Sequence, residues 1–233
     1  MGELMIRQCI FVMCLMMFTL VSDVARAEFV ITSAIIEFTK DTPSQQDIEI
    51  VSRGRDSDYV VAEVTEVLRP GASDETRVPI VDMRKSRLLV TPDRMILAGG
   101  NRKIIRFVLL KPLDDQEHIY RVAIKPVIKG IENNSKVGLK ILLGYEVLVI
   151  LRPASMAPRY TVKRDGNRIT LTNSGNTNIV LQNGQQCVAT NNCVMPPTLR
   201  AYAGQVISET LPQALPVTYT IWDGQQSVET AVP

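Results

Sequence analysis

An all-β chain folded as two immunoglobulin-like β-sandwich domains is what this sequence predicts, on three observations. Apolar residues alternate with polar ones in short runs after residue 28, with no convincing helical period. Turn residues punctuate those runs regularly, as at Arg69-Pro70-Gly71, Pro92-Asp93, Ala98-Gly99-Gly100 and Pro112-Leu113-Asp114-Asp115. That is the spacing of sandwich strands. Finally, Pro153 and Pro158 border a short linker between two such patterns, which sets a domain boundary.

Residues 1–27 stand apart. Arg7 precedes an apolar run from Cys9 to Val21, and Ala25-Arg26-Ala27 fits the small-x-small rule for signal-peptidase cleavage. About 13 apolar residues are too few to span a bilayer, so the segment reads as a cleaved secretory signal rather than an anchor. Cys14 follows Met13, a poor fit to a lipoprotein box.

The first domain is expected over 28–153. Residues 29–38 read as one strand, closed by Lys40-Asp41-Thr42-Pro43-Ser44, and 47–52 alternate up to Arg53-Gly54-Arg55. Strongly strand-like stretches follow at 59–67, 87–91, 103–110 and 119–128, and a polar loop at 129–136 leads into the long run 137–151. The second domain is expected over 154–233. There Asp165-Gly166 marks a hairpin between 160–163 and 168–172, and Asn173-Ser174-Gly175-Asn176 and Asn183-Gly184 mark the next turns. Residues 217–222 with Asp223-Gly224 make a last hairpin.

The run 137–151 is too long for an ordinary strand. At about 3.3 Å per residue it would reach roughly 50 Å, more than twice the usual strand. Its odd positions, Val137 through Leu151, are apolar throughout. The even positions change character: Gly138, Lys140 and Gly144 in the first half, Leu148 and Ile150 in the second. The first half is therefore expected to overhang the core that seals the second, unless a partner covers it.

Composition excludes several functions. Net charge is +2, with basic residues scattered among acidic ones and no aromatic stacking stripe, so nucleic acid is not an expected partner. His118 is the only histidine, which leaves no Ser/His/Asp triad to assemble. No carboxylate pair or nucleophile elbow stands out, and no phosphate-binding G-x-x-x-x-G-K-[ST] is present. Neither an enzyme nor a cofactor or small-molecule substrate is expected. After signal removal only Cys187 and Cys193 remain; in an oxidising compartment they should pair, a local clip contributing about 2 kcal/mol. Two cysteines without further ligands do not make a metal site.

Several segments taken together resemble the periplasmic chaperones of chaperone–usher pilus assembly (PapD-like). Leu89-Val90-Thr91-Pro92, then Ile96-Leu97-Ala98-Gly99 and Ile104-Ile105-Arg106-Phe107, resemble that family's Pro, Leu-x-x-Gly and apolar-Arg-apolar segment. Asp115-Gln116-Glu117-His118-Ile119-Tyr120 resembles its Asp-Lys-Glu-Ser-Leu-Phe signature. Leu139, Ile141 and Leu143 ahead of Arg152-Pro153 are similar to the alternating hydrophobics such chaperones lend to pilins. The departures are His118 and Val122 in place of the signature's Ser and Asn, and Lys125-Pro126-Val127 in place of its Arg-Glu-Ile-Pro ending. The family's pair of carboxylate-anchoring cations is also absent: 29–38 hold no Lys or Arg, and Leu148 occupies the second place. These departures, with residues 79–97, Asn173-Ser174-Gly175-Asn176 and the Cys187/Cys193 loop, look like the alternate (alpha) branch serving colonisation-factor and cable-type pili.

The resemblance implies a bent two-domain chaperone in the periplasm. It would bind pilin subunits by donor-strand complementation and deliver them to an outer-membrane usher, and it would self-cap as an oligomer when unloaded. Val137, Leu139, Ile141, Leu143 and Tyr145 would form the donor strand. Lys140, Lys40, Arg53 and Lys125 are candidates for the pilin's carboxylate, and Arg152 would tie the domains together. The rival expectation is a secreted immunoglobulin-like subunit or adhesin of a pilus.

Overall fold

Along residues 48–52, 168–173 and 217–222 every second side chain is buried, and strands of this period stack as facing sheets with their apolar sides inward. The computed structural model describes residues 29–82, 84–127, 143–189 and 192–233, and these are all-β in two sandwiches. The proposed signal segment 1–27 lies outside the described residues.

The first sandwich contains β1 (Phe29–Ile31), β2 (Ile35–Phe38), β3 (Gln45–Ser52), β4 (Asp58–Leu68), β5 (Thr76–Pro79), β6 (Leu88–Thr91), β7 (Arg94–Leu97), β8 (Arg102–Leu109), β9 (His118–Pro126) and β10 (Tyr145–Leu151). One sheet runs β1-β3-β8-β6; the other runs β2-β10-β9-β4-β5, with β7 also on β4. Ile50, Ile105, Phe107, Val122, Ile124, Val147 and Val149 meet in the core between them, each fully buried. On the four-stranded sheet Arg106 of β8 donates twice to its register partner Asp47 of β3, at 2.9 and 2.8 Å. That hydrogen bonding holds the exposed Asp47 carboxyl below its ordinary range.

The single strand expected over 29–38 is two strands in different sheets. β1 pairs antiparallel with β3, and β2 pairs parallel with β10. Between them the chain turns at Ser33, whose hydroxyl donates to the Ile35 carbonyl at 2.7 Å. The physical trace is a slip in parity: Phe29 is buried on the odd side, whereas Ile36 and Phe38 are buried on the even side.

The second sandwich contains β11 (Tyr160–Asp165), β12 (Arg168–Asn173), β13 (Ile179–Ala189), β14 (Asn192–Val194), β15 (Leu199–Ala201), β16 (Val206–Thr210), β17 (Val217–Trp222) and β18 (Ser227–Val232). Its sheets run β11-β12-β16 and β14-β13-β17-β18, with β15 on β13. Ile169, Leu171, Ile179, Leu181, Tyr219 and Ile221 form a separate core. Gly166 turns the β11/β12 hairpin at φ 58°. Cys187 and Cys193 are bonded and sit opposite each other in the β13/β14 hairpin.

Asn183-Gly184 is not a turn but a bulge inside β13. Pairing with β17 shifts between Gln182 and Gln185, and Asn183 takes φ 54°. Glycine is required next to it, because a Cβ on Gly184 would lie 2.6 Å from the ring of the fully buried Tyr219. Gly184→Ala is expected to cost about 1 to 3 kcal/mol and lower Tm by several degrees. An unchanged thermal midpoint would contradict this packing.

Candidate functional site

β10 is apolar on both faces because both faces are covered. Val147, Val149 and Leu151 point into the first core. Leu148 and Ile150, on the other face, pack with Val67, Ile119 and Tyr202, the last of which follows β15 of the second sandwich. A strand buried on both sides reads as a continuous apolar run. Tyr145 also lies on the covered side: its ring centroid is 5.6 Å from that of Phe29, and its hydroxyl donates to the Phe29 carbonyl at 3.1 Å. Tyr145 thus belongs to the sandwich's own packing rather than to an overhanging strand.

The edge of β10 is where the strand is incomplete. β9 pairs antiparallel along all of 145–151, but β2 covers only Leu148 to Leu151 on the other side. Leu148 donates its N–H to the Ala34 carbonyl at 2.9 Å and Arg152 to that of Phe38 at 2.8 Å. Alternate residues turn their main-chain groups to the same side, so the N–H and C=O of Glu146 face an edge that no strand covers among the described residues. Gly144 continues that line; a Cβ there would fall 2.9 Å from the Ile124 carbonyl. Leu143 is 56% exposed. Val137, Leu139, Lys140 and Ile141 lie outside the described residues.

Of the described carboxylate-anchor candidates, Lys40 lies at the opposite end of β10 from Lys125. Lys125 sits beside Gly144 and donates to Glu63 at 2.8 Å. Arg53 follows β3 at the Phe29 end, and Lys40 follows β2 at the Leu151 end. Lys40 and Arg53 are exposed, without an ion-pair partner among the described residues. Reasoning along β10 missed the cations beside it on neighbouring strands. Arg121 of β9 is the register partner of Leu148, and with Arg77 of β5 it flanks Glu146, at 3.8 and 2.7 Å. For Arg121 the sequence-level signal is that it and Lys125 sit four residues apart on one face of β9. The Gly71 N–H and Arg77 together hold the Glu75 carboxyl below its ordinary range.

Arg152 is fully buried and touches both sandwiches. Its Nε and Nη2 donate to Glu37 of β2 at 3.2 and 3.0 Å. Its Nη1 donates to Thr177 Oγ1 at 2.7 Å, to the Asn178 carbonyl at 3.1 Å and to Glu117 at 3.3 Å. Glu117 in turn accepts from the Asn178 main-chain N–H at 2.9 Å and from its side-chain amide at 2.7 Å. The guanidinium therefore carries two carboxylates, and the remaining lone pairs are satisfied by the second sandwich. Gly224 leaves the space, since a Cβ there would lie 2.9 Å from Nη1.

Next to this junction His118 Nε2 lies 3.1 Å from Asp114, which also pairs with Arg87. Tyr120 donates to Glu66 at 3.3 Å, and burial, with the Glu66 charge, pushes its phenol up to about 12. For Asp114 burial disfavours the anion, but the Gln116 N–H and His118 outweigh it and leave the carboxyl below its ordinary 3.8. The unfolded chain binds a proton here more readily than the folded one. The stabilisation is therefore present above the ordinary value and lost as pH falls through the lower folded one. Asp114→Asn should flatten the acid limb of the urea midpoint measured from roughly pH 6 to pH 3; an unaltered slope would contradict the assignment.

No family model matches the sequence. Two curated Escherichia coli proteins named as fimbrial subunits, one of CS1 and one of CFA/I, are each 27% identical, over 64% and 63% of this chain. The matches cover 64% and 65% of those relatives' own length. Among solved structures, the class 5 fimbriae chaperone CfaA superposes with a TM-score of 0.59 at 19% identity, covering 88% of this chain and 99% of that one. A chain of the complex of Salmonella enterica SafA pilin with the SafB chaperone gives 0.61 at 14%, covering 89% and 97%.

Proposed function

From a chain that has the two-domain fold of the chaperone–usher pilus chaperones, with colonisation-factor fimbrial proteins as its curated relatives, we propose a periplasmic chaperone for fimbrial subunits. The observation that carries this reading is that, among the described residues, no strand covers the edge of β10 at Gly144 and Glu146, which is directly preceded in sequence by Val137, Leu139, Ile141 and Leu143. An incomplete pilin fold can add its strand to that edge: main-chain hydrogen bonds hold it, and the lent apolar side chains fill its groove. The chain acts by binding rather than by catalysis.

Around this core stand the finer parts of the proposal. Secretion uses residues 1–27 as a cleaved signal, and the domains divide at Pro153/Ala154. Lys40, Arg53, Lys125 and Lys140 are the cations offered to a client's terminal carboxylate. The loaded chain passes its client to an outer-membrane usher, and the unloaded chain caps the same edge by self-association.

The relatives' naming as fimbrial subunits supports a second reading, a structural pilus component. The likeness to chaperone structures along nearly their full length favours the first. Co-expression with a pilin of the same pilus system separates them. A soluble heterodimer from the periplasm, with the pilin lost when this chain is omitted, is expected. Recovery of this chain in fibres, or a pilin equally abundant without it, would overturn the chaperone reading.

A further inference from the structure

We infer that the Glu37–Arg152 ion pair is a register stop, holding β2 against the last four residues of β10 and so confining a client strand to the stretch before Leu148. This rests on the donor-strand reading above. β2 is a four-residue parallel edge strand, a weak pairing on its own. It is fastened from three sides. Ile36 and Phe38 are buried in the first core, the Gln46 side chain donates to the Glu37 carbonyl at 2.6 Å, and Arg152 grips both Glu37 carboxylate oxygens. That guanidinium is anchored elsewhere too, to Glu117, Thr177 and Asn178, so the grip does not move with β2.

The consequence is positional. A strand added to β10 can use Gly144 and Glu146, but to use Leu148 it must displace β2 and leave Glu37 and a fully buried Arg152 without each other. Slipping by two residues would keep the same side-chain face while moving every apolar residue one pocket along, the kind of error that alternation alone cannot prevent. In this chain no cation on β10 marks the position, because Leu148 occupies it. The covered edge marks it instead.

The test compares amide exchange, residue by residue, in the mature chain with and without a co-expressed pilin, for the wild type and Glu37→Ala. In the free variant the Leu148 and Arg152 amides should exchange about tenfold faster or more, as β2 opens locally. The protection gained on loading should end at Glu146 in the wild type, where β2 already covers Leu148 and Ile150, and should include Leu148 and Ile150 in the variant. Should Glu37→Ala fail to fold, Glu37→Gln keeps the volume without the charge and should move the boundary the same way. Unchanged exchange at Leu148 and Arg152, or a client footprint that still ends at Glu146 in the variant, overturns the register stop. No client protection at Glu146 in the wild type would instead overturn the donor-strand reading itself.

Discussion

Arg152→Leu is expected to destabilise the protein by about 3 to 5 kcal/mol, because it strands one nearly buried carboxylate and one half-buried carboxylate that were satisfied by the same guanidinium. Glu117 is 4% exposed at its side chain and Glu37 24%. Glu117 cannot recover its hydration where it stands, and Glu37 can recover it only in part. At roughly 2 to 4 °C per kcal/mol for a chain of this size, the thermal midpoint should fall by about 10 °C. Arg152→Lys should also lose stability, since a point charge cannot serve Glu37 on two oxygens while reaching Thr177. Pairing Arg152→Leu with Glu37→Leu should recover part of the loss, as apolar replacements of buried ion pairs commonly do. Disrupting the exposed Arg106–Asp47 pair should change the midpoint little, because solvent already screens it. A drop no larger for Arg152→Leu than for that surface pair would refute the account of the junction.

On the proposed function, replacing Leu139, Ile141 and Leu143 together by Ser is expected to abolish recovery of the client while leaving this chain folded. Each such side chain is worth about 1.5 to 3 kcal/mol when buried, and even the lower figures for three sum to roughly a thousandfold or more in affinity. The protein's own stability should hardly change, because Leu143 is more than half exposed in the unloaded chain. Val147→Ser is the opposing control. That side chain is fully buried in the first core, so the substitution should lower the melting temperature itself. Undiminished client recovery from the triple variant would sink the donor-strand claim.

Much of the fold is legible in the sequence because alternation and turn chemistry are local. The runs at 59–67 and 103–110 are within two residues of β4 and β8, and Asp165-Gly166 turns a hairpin. The change in even-side character along 137–151 can also be read directly, but its cause cannot. The second apolar face of β10 is covered by Tyr202, more than fifty residues away in sequence. The splitting of 29–38 depends on which sheet each half joins, a long-range choice that leaves only a one-residue parity slip behind. Glu37 and Glu117 carry no mark as partners of Arg152, from which they are separated by 115 and 35 positions. Asn183-Gly184 has the composition of a turn, and only the ring of Tyr219 behind it makes it a bulge.

Because β1 belongs to one sheet and β2 to the other, the three residues between them act as a spacer of fixed length at the mouth of the sandwich. The two sheets cannot spread apart on that side without tearing one half of the segment from its neighbour. Under the proposed donor-strand reading, a client strand added to β10 would therefore meet an edge whose position the two sheets already set. If the chain takes up a client as proposed, that edge does not have to be rebuilt first, and letting the client go again breaks only the contacts made on it.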